Sequence, residues 1–231
     1  MRIIVFGANG PTGRLLTGQA LDAGHDVVAV TRKPAEFSLV HDRLTVFEGD
    51  VLHSDSVDTA VAGADVVLST LGVPFGKEAI KTYSVGAANI VAAMHRHGAR
   101  RLAVVSSSAV DPQPYPDAGF FFNRVLQPYV ARVMGKTLYD DMRRMEALIA
   151  ATDLEWTIVR PSGLYELPAV TDYTMVEGHA DSRFTARIDL AASLLRLAEE
   201  GSFVRKIVGV VTTTDNPSML QLLRSEALGK H

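Results

Sequence analysis

Cysteine is absent from this chain of 231 residues. That removes disulfides, thiolate nucleophiles, iron–sulfur clusters and cysteine-ligated zinc. An excess of one charge is missing too. There are 23 basic residues against 26 acidic ones, a net charge of -3, so nucleic acid is not expected as a partner. No apolar run reaches the roughly 18 residues of a membrane span. The chain enters the apolar run Arg2-Ile3-Ile4-Val5-Phe6 with no signal-like segment before it. The expectation is a cytoplasmic protein with no membrane partner. His-Glu-x-x-His, paired-carboxylate and Gly-x-Ser-x-Gly patterns are also lacking, which leaves metalloenzyme and hydrolase readings unsupported. His95 and His97 stand two apart in a predicted helix and point in different directions, so no metal is expected.

What is present is an alternation of short β-branched runs with longer segments of helical period, the mark of βαβ units and a mainly parallel sheet. Six strands are predicted near Arg2–Phe6, Val27–Thr31, Leu44–Phe47, Val66–Ser69, Leu102–Ser106 and Thr157–Val159, with a seventh near Ile207–Val211. Helices over Thr12–Ala23, Ser54–Ala62 and Glu78–His97 each end at a glycine suited to a left-handed cap: Gly24, Gly63 and Gly98. With 47% hydrophobic and 21% charged residues, the expected fold is α/β. It is a Rossmann-type, doubly wound, mainly parallel sheet in a single domain over 1–231. The stretch 111–135 breaks the rhythm with Asp111-Pro112-Gln113-Pro114-Tyr115-Pro116 and continues through Phe120-Phe121-Phe122. It follows the fifth strand's C-terminal end, where open α/β sheets bind ligands, and reads either as a substrate lid or as a packed surface helix or dimer contact.

Between the first strand and helix lies Gly7-Ala8-Asn9-Gly10-Pro11-Thr12-Gly13. Gly7 permits the tight turn, Gly10 lets backbone approach phosphates, and Gly13 allows the helix to pack closely on the strand. Pro11 fits the first helical turn, where its missing N–H costs nothing. A strand before and a helix after is the context that turns a glycine triplet into a dinucleotide site, and the diphosphate is expected at the helix N-terminus. A P-loop is excluded because no Gly-Lys-Ser/Thr closes the turn. The second strand ends Thr31-Arg32-Lys33 where an NAD-preferring fold places an acid. Arg32 offers a planar fork of donors for a ribose 2′-phosphate and Lys33 a second positive charge, so NADP(H) is the expected cofactor. Asp50 and Val51 follow the third strand, and Leu71-Gly72 the fourth. Asp50 either accepts from adenine or caps a helix, Val51 packs on the ring, and Leu71-Gly72 lets the cofactor lie on backbone.

With these residues in place the chain resembles the atypical short-chain dehydrogenase/reductase superfamily. The branch is the NAD(P)H-binding one that holds NmrA-like proteins and the biliverdin-IXβ and flavin reductases. The likeness rests on the glycine turn, on Val104-Val105-Ser106-Ser107-Ser108-Ala109, on Met145-Glu146 to Trp156-Thr157-Ile158-Val159-Arg160-Pro161, and on Arg187-Ile188-Asp189-Leu190-Ala191. It implies that Pro161, Ser162, Gly163 and Leu164 run past the nicotinamide. It also implies that Ser108 matches a serine near the active site; Ser108, with Ser106 and Ser107, reads either as a hydrogen-bond partner of the nicotinamide amide or the substrate, or as a satisfied hydroxyl at a strand end. Asp189 is expected to cap its helix.

The Tyr-x-x-x-Lys pair of short-chain dehydrogenases, in which lysine lowers the phenol pKa for proton transfer, occurs nowhere in the chain. The family's spacing puts Leu138 and Met142 at those places, both on the apolar stripe Leu138, Met142, Met145, Ile149. Tyr139 and Arg143, four apart, read as a surface pair. Two functions remain. One is an NADPH-dependent reduction of a planar small-molecule acceptor, a flavin, a quinone or a linear tetrapyrrole, with Ser108 and Tyr115 as catalytic candidates and Tyr115 and Phe120–Phe122 stacking on the acceptor. The other is a non-catalytic NADP(H)-binding redox sensor of the NmrA-like kind. The expected state is monomer or homodimer.

Overall fold

The computed structural model describes residues 1–76, 78–115, 119–129 and 133–214. Its strands are β1 (Arg2–Phe6), β2 (Asp26–Thr31), β3 (Leu44–Glu48), β4 (Val66–Ser69), β5 (Arg101–Val105), β6 (Glu155–Pro161), β7 (Gly163–Tyr165), β8 (Thr174–Glu177), β9 (Phe184–Ala186) and β10 (Lys206–Val211). The helices are α1 (Pro11–Asp22), α2 (Ser54–Val61), α3 (Thr82–His97), the short turns α4 (Gly119–Phe121) and α5 (Gln127–Tyr129), then α6 (Lys136–Ala150) and α7 (Arg187–Glu200). All seven strands read from the sequence are present, with ends shifted by a residue or more in five of them.

The main sheet has eight strands in the order β3-β2-β1-β4-β5-β6-β10-β8. Every pairing from β3 to β10 is parallel, and only β8 runs antiparallel, on the edge. The chain leaves β1 toward β2 and β3, then returns on the other side as β4. That reversal opens a crevice outside the carboxyl ends of β1 and β4. A separate two-stranded sheet pairs β7 with β9. Neither it nor β8 is foreseen by the sequence reading.

Alternation along the strands divides the core. In β1, Ile4 and Phe6 pack with α2, α3 and α6, while Ile3 and Val5 pack with α1 and α7. Each such fully buried aliphatic or aromatic side chain contributes roughly 1.5–3 kcal/mol. The three helix-closing glycines have φ of +83° at Gly24, +73° at Gly63 and +74° at Gly98, the left-handed geometry their positions require.

Two local expectations are corrected. Helix α3 starts at Thr82, not Glu78, because its cap comes from another helix. The buried Asp141 carboxylate of α6 accepts from the backbone N–H groups of Tyr83 at 2.9 Å and Ser84 at 3.3 Å, and from the Ser84 hydroxyl. The residues from Leu71 to Gly76 are thereby left as a loop beside the crevice. Tyr139 and Arg143 are not a surface pair. Tyr139 is buried against Phe75, ring centroids 6.1 Å apart, and Arg143 donates to the Val110 carbonyl at 2.9 Å and pairs with Asp140. Leu138, Met142, Met145 and Ile149 lie in the core as their spacing implies.

Candidate functional site

A cleft of about 550 Å³ occupies the crevice. Its floor and walls come from successive strand ends: Gly7, Asn9, Gly10, Pro11 and Thr12 after β1, Arg32 and Lys33 after β2, Asp50 and Val51 after β3, and Leu71 and Gly72 after β4. All of these were named from the sequence. Gly13 lies behind the wall, where a Cβ would sit 2.2 Å from the Gly7 carbonyl oxygen, so the close approach of α1 to the turn demands glycine. Gly7 combines a φ of +77° with backbone of Thr70 2.8 Å from where its Cβ would stand.

The residues fit a diphosphate. Helix α1 begins with Gly10 as cap, no side-chain cap bond, Pro11 in its first turn and no acid there. The first amides of the helix therefore face the cleft with neither a capping oxygen nor a carboxylate competing for them. A Cβ at Gly72 would meet nothing within 4 Å, so this wall leaves open space. Arg32 is exposed and makes no hydrogen bond or ion pair with any described residue, whereas Lys33 is held by Glu36 at 2.7 Å. Of the two, only Lys33 has its charge paired among the described residues. Asp50 does not cap α2, whose cap residue is His53; it accepts from the Leu52 N–H at 2.9 Å in the turn before that helix. Val51 is buried in the core, and a Cβ at Gly86 would collide with it.

Arg14 was missed by the sequence reading. Its guanidinium donates to the Asn9 carbonyl at 3.1 Å, to the Asn9 side-chain oxygen and to the Glu36 carbonyl at 2.8 Å, and it reaches Ser38. It fastens the glycine turn to the segment after β2.

The far end of the cleft is lined by Val105, Leu164, Arg187 and Leu190. Arg187 opens α7 and pairs with Glu166 at 2.8 Å. Its motif was noticed in the sequence for Asp189 instead, and that residue does not cap α7. Asp189 is buried and accepts from the Thr171 N–H at 2.8 Å, the Thr171 hydroxyl at 2.7 Å and the Thr212 hydroxyl at 2.6 Å. It straps a loop and the end of β10 to the helix that carries Arg187.

Ser106, Ser108, Tyr115, Pro161, Ser162 and Gly163 do not line this cleft. Ser106 donates to buried Glu146 at 2.6 Å, and Glu146 holds Arg160 through bonds of 3.0 and 2.6 Å. Burial disfavours the Arg160 charge, but the Glu146 carboxylate outweighs it and the pKa is raised. Ser107 accepts from the Ala109 N–H at 3.2 Å. Ser108 and Tyr115 do come together. The Tyr115 phenol, 4% exposed, donates to Ser108 Oγ at 3.0 Å and lies 3.2 Å from Ser162 Oγ. Ser162 in turn donates to the Ser182 carbonyl at 2.6 Å. Pro161 ends β6, and the Gly163 N–H bonds the Arg183 carbonyl at 2.9 Å.

His179, unmarked by any motif, packs its ring 5.3 Å from that of Tyr115 and has a buried Nε2 with no hydrogen-bond partner among the described residues. It lines a second hollow of about 500 Å³ with Asp111, Gln113, Pro114, Arg160, Gly178, Asp181 and Ile207. Phe120 and Phe121 line neither space. Residues 116–118 and 130–132 of the expected lid, and the Phe122 side chain, lie outside what is described. Among the described residues no group of side chains is arranged to hold a metal, and no helix is long and apolar enough to cross a membrane.

A family model described as NAD(P)H-binding matches residues 7–201. An uncharacterised chloroplastic protein of Arabidopsis thaliana is 28% identical over 232 residues, covering 94% of this chain and 78% of that protein. A short-chain dehydrogenase/reductase from Veillonella parvula, solved in complex with NADP, matches with a TM-score of 0.76 and 22% identity over 94% of this chain and 99% of its own. ChuY of Escherichia coli O157:H7, described as an anaerobillin reductase, matches with a TM-score of 0.71 and 20% identity over 94% and 100%. These two structures share the fold.

Proposed function

This chain belongs to the NAD(P)H-binding family, and from that premise we propose that it is an NADPH-dependent reductase passing hydride directly to a planar acceptor such as a flavin, a quinone or a linear tetrapyrrole. The observation that carries this reading is one continuous cleft. It runs from Arg32, which pairs with no described residue, across an acid-free helix N-terminus, to an end lined by Val105, Leu164, Leu190 and the Glu166-paired Arg187. A bound nicotinamide nucleotide supplies the hydride. The backbone of Gly7 to Thr12 holds its diphosphate, and Arg32, seconded by Lys33, holds a 2′-phosphate.

Leu138 and Met142 are buried where a tyrosine and a lysine would run proton transfer, so the chain favours acceptors that need little acid catalysis. The hydroxyl trio supplies what remains. Ser162 donates to the Ser182 carbonyl and Tyr115 donates to Ser108, so the Ser108 proton has no acceptor among the described residues and is left for a ligand. Ser108, which lies outside the cleft lining, is the hydrogen-bond donor in this assignment for an acceptor that extends beyond the cleft, and Tyr115 positions it. The NADP held by the Veillonella protein and the reductase activity named for ChuY support the reading.

The test follows NADPH absorbance with FMN, riboflavin, a quinone and biliverdin as acceptors. At least one is expected to turn over, faster with NADPH than with NADH. Ser108→Ala should then lower kcat about tenfold, the loss of one transition-state hydrogen bond, and leave NADPH affinity unchanged. Tight NADPH binding with no turnover on any acceptor favours the redox-sensor reading instead. Absence of binding sinks both.

A further inference from the structure

Arg187 stands in the cleft wall at the end away from Arg32, beside Val105, Leu164 and Leu190. Its side chain is 27% exposed, and its Nε lies 2.8 Å from a carboxylate oxygen of Glu166, itself 67% exposed. Beyond that ion pair Arg187 makes no hydrogen bond with any described residue. Its Nη groups are therefore left for solvent or a ligand, although most of the side chain is covered. Asp189, the other acid nearby, does not compensate it, because that carboxylate is committed to Thr171 and Thr212.

On local grounds this is a poor place for a cation. Arg187 is the first residue of α7, whose cap Ala186 offers no side-chain bond, so its charge meets the positive end of the helix dipole. The Asp189 bonds nevertheless fix this first turn to the loop at Thr171 and to the end of β10. A rigidly held guanidinium that opposes its own helix and keeps spare donors in a cleft wall is accounted for when an anion enters the cleft. The nucleotide's own anions have other seats, at Arg32 and at the turn after β1. Arg32 follows β2, and Val105 ends β5 three strands away, roughly 14 Å at the usual strand spacing. An anion that meets Arg187 at this end comes with the acceptor. We propose that Arg187 selects acceptors carrying an anionic group, a phosphate or a carboxylate, over their uncharged counterparts. The inference rests on the reductase reading, in which the planar acceptor enters this end of the cleft.

The test is equilibrium binding to the full chain saturated with NADP⁺, which has no hydride to pass. Flavin fluorescence reads FMN against riboflavin, which lacks only the phosphate, and absorbance reads biliverdin against its uncharged dimethyl ester. The charged member of at least one pair is expected to bind at least about tenfold more tightly, the contribution of one charge-assisted hydrogen bond. Arg187→Gln should bring that ratio close to one, and Arg187→Lys should keep part of it. Glu166→Gln removes the competing carboxylate and should widen the ratio, a change that a merely structural ion pair would not produce. The proposal is overturned by equal binding within both pairs, by no binding of either charged member, or by a ratio that survives Arg187→Gln or narrows with Glu166→Gln. A fall in NADP⁺ affinity with Arg187→Gln while the ratio holds also overturns it and assigns the residue to the diphosphate. The two readings fail separately. Selectivity without oxidation of NADPH rejects the reductase and upholds anion recognition by Arg187, whereas turnover without selectivity rejects the role of Arg187 alone.

Discussion

Among the described residues from Met1 to Arg100 no charged side chain is buried, whereas beyond that point Arg101, Asp141, Glu146 and Asp189 all are. The first half lines the cleft with backbone: glycine turns, strand ends and bare helix amides, with charge kept at the rim. The second half is stitched by ions. Arg101 donates to the carbonyls of Leu197, Ser202 and Glu155 and to Thr157, although burial lowers its pKa. Glu146 gathers Ser106 and Arg160, and Asp189 gathers Thr171 and Thr212. None of these buried ions lines the cleft, although Asp189 stands between Arg187 and Leu190, which do.

That contrast can be broken at either end. The largest effect is expected for Asp189→Ala, which leaves one backbone donor and two hydroxyls without their acceptor. Urea melts should show a loss of about 3 kcal/mol, and a loss under about 1 kcal/mol would mean that the ion is not what holds this half together. Next comes Arg32→Glu, in the half where charge lies at the rim. Titration should show NADPH affinity falling about a hundredfold, NADH affinity nearly unchanged and the melting point unmoved. Equal losses for the two nucleotides would remove Arg32 from the 2′-phosphate site.

The smallest effect concerns Tyr83, an uncharged polar group buried in the first half. Burial pushes its phenol up to about 12, a loss of solvation that outweighs the Val73 N–H donating to it. The folded state therefore favours the protonated form. Its contribution is complete below pH 10 and fades as pH climbs toward 12, about 1.4 kcal/mol against the unfolded chain at pH 11. Tyr83→Phe should flatten the alkaline limb of the stability curve between those values. An unchanged limb would trace it to other groups.

The same division decides how much could be read from the chain. β1, the glycine turn, α1 and β2 follow from local rules: alternation, a proline at the helix start, a glycine past its end. So do the cleft residues on those elements. β7, β8 and β9 are three or four residues long and owe their places to bonds such as Ala186 N–H to Thr212 and Ser162 N–H to Thr185, whose partners are 26 and 23 residues apart. No short window carries that information. The start of α3 was misread for a like reason, since Asp141, its capping carboxylate, sits 58 residues from Tyr83. Tyr139 looked like a surface residue because its cover, Phe75, lies on another loop. Ser108 was named through family resemblance and Tyr115 as an aromatic of the 111–135 segment, and nothing in their spacing tells that Ser162 and His179 join them.

Arg14 ties one last pair of properties together. Because a single guanidinium grips both Asn9 and the Glu36 carbonyl, the loop that would choose between the two nicotinamide nucleotides is mechanically coupled to the loop that would receive what they have in common. Anyone redesigning coenzyme preference by exchanging residues 32–38 would also be retuning the grip on every dinucleotide, unless the replacement segment returns a carbonyl oxygen to the place Glu36 now supplies.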